Sequence, residues 1–194
     1  MMPNLFHAQA SNNAWANHRL LKACAALTPE ELAAPRSGFF PSLIETLNHI
    51  LIIDWFYVDA LEGGWLGPAA WANRVPHPDL PGLWAAQVAV DRRLMAHCAG
   101  LVEADLAAIV RVNRATTVQE ERRDRLLLHL FQHQIHHRGQ AHAMLSSTRV
   151  KPPQLDEFYS EGEAPLRAAD FAELGLSEEA IWGAAHAIPP ARTA

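Results

Sequence analysis

Apolar residues recur at near-helical spacing along most of this chain. Leu5, Phe6, Trp15, Leu20, Leu21 and Ala25 keep that rhythm from Leu5 to Leu27 with no interior glycine or proline, which predicts a first long helix. In "TPEE", Thr28 as N-cap, Pro29 at the first helical position and Glu31 at the third predict a capping box on a short helical turn. "APRSGFFPS" reads as a loop, after which Ser42 opens a second helix running to about Leu61. Its stripe is Leu43, Leu47, Ile50, Asp54 and Val58, widened by Ile44 and Leu51.

"EGGWLGPAAWANRVPHPDLPG" is dense in glycine and proline and predicts a long irregular connection, a kind of segment that is often functional. Its tryptophans, Trp65 and Trp71, are expected to pack over the core. A third helix is predicted over Leu83–Leu101, then extended chain through the β-branched "AAIVRVNRATTVQ". The fourth and longest helix is predicted from about Gln119 to Ser146, its acidic opening suited to the helix dipole. "KPPQLDEF" reads as an extended strap, "RAADFAELG" as a short helix ending at Gly175, and "SEEAIWGAA" as another capped by Ser177. The fold class is therefore all-α: a bundle of four long helices with short C-terminal helices.

With 194 residues, 49% of them hydrophobic, the chain has the material for one domain and a substantial core, expected over 1–186 with a flexible tail over 187–194. A net charge of -5 argues against nucleic acid as a partner, because phosphate neutralisation needs clustered cations. The arginines between Arg111 and Arg125 alternate with acids, as in "EERRDR", and read as a solvated face. The two cysteines, Cys24 and Cys98, are too few for a disulfide scaffold and are read as buried small apolar residues in a reducing compartment. "MMPNLFHAQASNNAW" turns polar at once, and the apolar run "ILIIDWFYV" is far too short for a bilayer, so a cytoplasmic protein without membrane association is expected.

Candidate chemistry concentrates in "LLLHLFQHQIHHRGQAHAML", which carries His129, His133, His136, His137 and His142. Helical residues four apart lie on one face with Cβ atoms roughly 6 Å apart, from which two imidazoles can converge on one ion. His129, His133 and His137 form such a stripe, and His136 adds further chelating pairs, whereas His142 lies off it. A third ligand must come from elsewhere, with His18, His49 and His97 as candidates. His49 stands out in the middle of the most apolar helix, in "LNHILIID". Imidazole donors suit Zn, Ni, Cu or Fe, and three protein ligands leave a position open for catalysis. Gln134 stands where a metalloprotease H-E-x-x-H motif would carry its glutamate, which weakens a peptidase reading. Asp54, five residues after His49, is the nearest acidic group in sequence, able to support a ligand histidine or accept a proton. No nucleophile elbow, phosphate loop or dinucleotide fingerprint is present.

"NNAWANHRLL", "LNHILIIDW" and "HLFQHQIHHRGQAHAML", with "LDEF" and "RAADFAELG" beyond them, resemble the DinB-like (DinB/YfiT) family over roughly Leu5 to Glu179. The resemblance implies an up-down-down-up four-helix bundle with a long crossover loop, commonly a homodimer. It implies one divalent metal per chain, held by His49, His133 and His137, with Zn or Ni the expected ion. It further implies a metal-dependent hydrolase, or a transferase acting on a low-molecular-weight thiol and a small-molecule substrate. Asp54, His129 and Gln134 are then expected to support the ligands or face substrate. The alternative is a non-catalytic metal-binding or stress-response protein, whose coordination sphere would be closed.

Overall fold

The computed structural model describes residues 2–183, with the side chains of Met2 and Pro3 excepted; the expected tail and the expected domain end at 186 lie outside them. The elements in order are α1 (Met2–Cys24), α2 (Pro29–Ala33), α3 (Leu43–Leu61), α4 (Leu80–Ala99), β1 (Ile109–Asn113), β2 (Val118–Arg122), α5 (Arg123–Leu145), α6 (Ala164–Leu174) and α7 (Glu178–Trp182). The molecule is mostly helical, about 65%, with one two-stranded antiparallel sheet among the described residues. No described helix is long and apolar enough to cross a membrane.

The predicted caps form. Thr28 accepts from the Glu31 amide while the Glu31 carboxylate accepts from the Thr28 amide, starting α2. Ser42 caps α3 on Glu45, Ser177 caps α7 on Ala180, and Gly175 ends α6 with φ 70°, in the left-handed region that glycine enters without strain.

Of the boundaries that differ from expectation, two helix starts differ for a clear local reason. α4 begins at Leu80 rather than Leu83, because Asp79 caps the Gly82 amide at 2.8 Å and Pro81 fits the first turn of a helix. α5 begins at Arg123 rather than Gln119, because Gln119–Arg122 pair with β1, Ile109 opposite Arg122 and Asn113 opposite Val118. The acidic pair Glu120 and Glu121 thus lies on a strand, and Asp124 supplies the acid of the helix's first turn.

α1 packs against α4 and α5, and α3 packs against the same two helices. Two apolar clusters fill the space between them. One gathers Phe6 and Ala10, the second half of α3, Val90, Leu94 and Cys98, the hairpin's Val110 and Val112, and Leu126, Leu127, Leu130 and Phe131. The other gathers Leu20, Leu21 and Cys24, the first half of α3, Leu80 and Leu83, and Ala141, Met144 and Leu145. A third lies on the outer face of α1, where Trp15 meets Phe158, Phe171 and Ile181. Both cysteines are buried as expected, and burial pushes each thiol up to about 12. Of the apolar residues expected inside, Leu5 is 58% exposed, Trp65 54% and Trp71 37%. Trp71 nonetheless packs its ring 4.8 Å from that of Phe56.

Candidate metal centre

His133 and His137 stand one turn apart on α5, facing His49 on α3. The His49 and His133 Nε2 atoms are 3.0 Å apart, and each candidate donor atom of the three residues lies within 4.8 Å of the others. Two nitrogens bound tetrahedrally at about 2.0–2.1 Å would be separated by roughly 3.4 Å, so the cluster is near the size a transition-metal ion needs. Its three neutral nitrogen donors suit such an ion better than Mg or Ca.

The surroundings fix how these rings present their lone pairs. Gln140, one turn beyond His137, donates through Nε2 to His136 Nε2 at 3.1 Å, which turns its carbonyl toward His137. His137 Nδ1 donates to that oxygen at 2.8 Å and leaves Nε2 free to bind. Phe40 lies over His49 with ring centroids 4.4 Å apart and reaches His137 at 5.8 Å. In the same loop, a Cβ at Gly38 would meet the Met144 methyl, the flexible end of that side chain. Beside His49, Asn48 donates to the His77 carbonyl at 2.8 Å and accepts from the His77 amide at 3.0 Å, tying the long connection to α3.

Burial and mutual repulsion keep the imidazoles neutral. Burial first, then His137, brings His49 down to about 4. Burial first, then the neighbouring histidines, brings His133 down to about 3. Burial also lowers His137, against the opposing effect of the hydrogen bond it donates to Gln140. Near neutral pH the cluster therefore offers lone pairs rather than protons.

The other predicted site residues take different positions. His129 is exposed and meets Tyr57 edge-on, ring centroids 5.4 Å apart. Asp54 and Gln134 are buried in the interior, on a polar layer separating the two main apolar clusters. There Gln87 donates to Asp54 at 2.7 Å and to Asp91 at 3.1 Å, Asn17 donates to Asp91 at 3.0 Å, and the buried Arg138 guanidinium donates to Asn13 and Asn17. Among the described residues, Asp54 Oδ1 and both amide atoms of Gln134 have no hydrogen-bond partner. Burial and the neighbouring Asp91 raise the Asp54 carboxyl well above the usual carboxylate range.

Phe40, Asn48 and Gln140 were not singled out from the sequence. Asn48 and Gln140 each sat in a stretch that carried the family resemblance, in "LNHILIIDW" and "HRGQ", and Phe40 left no signal. His142 bonds the Pro153 carbonyl at 2.9 Å and His18 bonds Glu173 at 2.9 Å, so both have structural partners. His18, Asp170 and Glu173 also cluster closely enough for a cation, but Arg19 and Lys22 already supply the positive charge there.

Long helices packed around a three-histidine cluster contributed by two of them define a class: helical proteins with a candidate transition-metal site between helices. A family model described as the DinB family matches residues 1–168, and the chain belongs to that family. No curated protein matched the chain.

Proposed function

We propose that this protein is a metal-dependent enzyme that activates water or a low-molecular-weight thiol for attack on a small electrophile. The observation that carries this is the composition of the cluster: three imidazoles converge, and among the described residues no carboxylate or fourth histidine belongs to the group. Three protein donors leave room for an exogenous ligand, as catalytic sites require, whereas a closed structural site uses four. A bound Zn or Ni ion would supply Lewis acidity, lowering the pKa of the water or thiol it meets. His49, His133 and His137 would hold the ion, and the His136–Gln140–His137 chain would keep the His137 lone pair aimed at it. Phe39, 75% exposed, and Phe40 would screen the ion from bulk water on one side. Asp54 and Gln134 act through the helix positions they hold in the interior, and His129, exposed one turn before His133, stands beside Tyr57.

The topology belongs to the same proposal. α1 and α5 begin in the first apolar cluster and end in the second, whereas α3 and α4 run the other way, which supports an up-down-down-up bundle. Leu128 and Ile135, exposed two turns apart on α5, offer an apolar stripe for the second copy of a homodimer.

Metal content of untagged protein, measured by elemental mass spectrometry, tests the site. About one transition-metal ion per chain is expected, with loss in His49→Ala and in His137→Ala. Turnover of a thiol-plus-electrophile or hydrolytic substrate panel should vanish in His133→Ala. Absence of bound metal, together with no melting shift on adding Zn or Ni, would overturn the reading, since a ligand of the native state must raise the transition.

A further inference from the structure

The arginines of the "RVNRATTVQEERRDR" segment are not equivalent. Arg111, Arg122 and Arg125 are exposed and paired with Glu120, Asp124 and Glu121. Arg114 instead folds inward, half-buried, with its guanidinium 4.9 Å from the Phe56 ring centroid and 5.6 Å from that of Tyr57. Its side-chain hydrogen bonds go to neutral oxygens only, Nε to Gln119 Oε1 at 2.9 Å and Nη2 to the Tyr57 hydroxyl at 2.9 Å. No ion pair neutralises it among the described residues, and the guanidinium keeps further donors free.

The hairpin turn fixes this cation in place. The Arg114 amide donates to the Thr117 carbonyl, and the Ala115 amide donates to Asn113 Oδ1 at 3.0 Å. Ala115 itself sits at φ 67°, a left-handed conformation costly for a residue with a Cβ. Asn113 Nδ2 donates in turn to the Trp65 carbonyl at 3.4 Å, tying the turn to the long connection. A cation anchored by neutral groups in an ordered turn is preorganised for an anion that the chain does not itself supply.

Its location relates it to the histidines. Tyr57 lies eight residues along α3 from His49, and its ring meets His129, four residues before His133 on α5. At 1.5 Å of rise per residue these offsets are about 12 Å and 6 Å along the helix axes, one to two turns from the metal ligands. Ile53, half-buried, occupies the intervening turn of α3.

We propose that Arg114, oriented by Tyr57, whose ring also meets His129, is an anion-binding subsite of the histidine centre. The corresponding ligand is a small molecule with one end at the metal and a carboxylate or similar anion one to two helical turns away. This rests on the metal-centre reading above and adds the substrate's charge and length to it. The guanidinium can meet a carboxylate in bidentate fashion, which a lysine cannot reproduce fully.

The test uses cobalt(II)-loaded protein and two thiols of equal length, mercaptohexanoate and mercaptohexanol, with binding read from the sulfur-to-cobalt charge-transfer band. The carboxylate thiol is expected to bind about tenfold more tightly, the size of one charge-assisted hydrogen bond. That preference should disappear in Arg114→Gln, persist in reduced form in Arg114→Lys, and weaken severalfold in Tyr57→Phe, with cobalt uptake unchanged throughout. Equal binding of the two thiols to the unmodified protein, or a full preference retained in Arg114→Gln, overturns the subsite while leaving the metal centre standing. Failure to take up cobalt removes the metal centre, and this inference with it.

Discussion

α5 builds two regions of opposite character one residue apart. His133 and His137 point into the groove shared with His49, whereas Gln134 and Arg138 enter the interior layer with Asp54 and Asp91. The groove is half-buried, and its titratable groups are uncharged near neutral pH because burial and like neighbours hold their protons off. The interior layer is buried and built on ionisable groups, two carboxyls against one guanidinium, with burial raising both carboxyls above their ordinary range. A donor set able to take a cation from solution needs free lone pairs and an opening. An internal layer needs its partners inside the fold, and where they fall short at a carboxylate, as at Asp54 Oδ1, a proton can make up the deficit.

The largest separation of the two regions should come from Arg138→Met. It leaves Asp91 and Asp54 without their buried cation, and a loss of about 3–5 kcal/mol in unfolding free energy is expected. Metal content of the folded fraction should stay unchanged. An unaltered denaturation midpoint would mean that the layer is not held electrostatically.

A smaller effect is expected at Asp54. Its folded carboxyl titrates above the unfolded value, so the stability it contributes is complete at low pH and lost as pH rises through the folded value. Asp54→Asn should therefore gain on the order of 1 kcal/mol at about pH 8 relative to the unmodified protein, and that gain should shrink toward about pH 5. A substitution effect independent of pH in urea titrations would show that Asp54 is not a strained acid.

The smallest effect is predicted in the groove. With His49 down at about 4 and His133 at about 3, protons compete for the donors only well below the ordinary histidine range. Zn affinity should weaken by less than about tenfold between about pH 7 and pH 5.5, where three ordinary histidines titrating near 6.5 would lose roughly a thousandfold. Competition titrations at those two pH values decide between them.

The groove was more legible than the layer, because chelation leaves a local trace. His133 and His137 share a helix face by spacing alone, and His49 interrupts an otherwise apolar stripe. The polar layer leaves no comparable trace: Asn13, Asn17, Asp54, Gln87, Asp91, Gln134 and Arg138 come from four helices and meet only through tertiary packing. Asp54 and Gln134 accordingly drew attention as neighbours of histidines in sequence, although the hydrogen bond to Asp54 comes from Gln87. The long helices were visible in their apolar rhythm. The start of α5 was not, since "QEER" carries no periodicity and only its pairing with β1 makes it a strand.

The outer face of α1 bears on how the chain is made. Trp15 is covered by Phe158 and Phe171, and Arg19 on the same helix is anchored by Glu157 and Asp170. Phe171 and Ile181 lie beyond residues 1–168, the stretch matched by the family model. On a ribosome adding about 5–20 residues per second, the ~156 residues between Trp15 and Phe171 take roughly 8 to 30 s to synthesise. For that interval a nascent chain carries a greasy, uncovered helix face, and any cellular factor that shields such faces has its opportunity before the last two helices emerge.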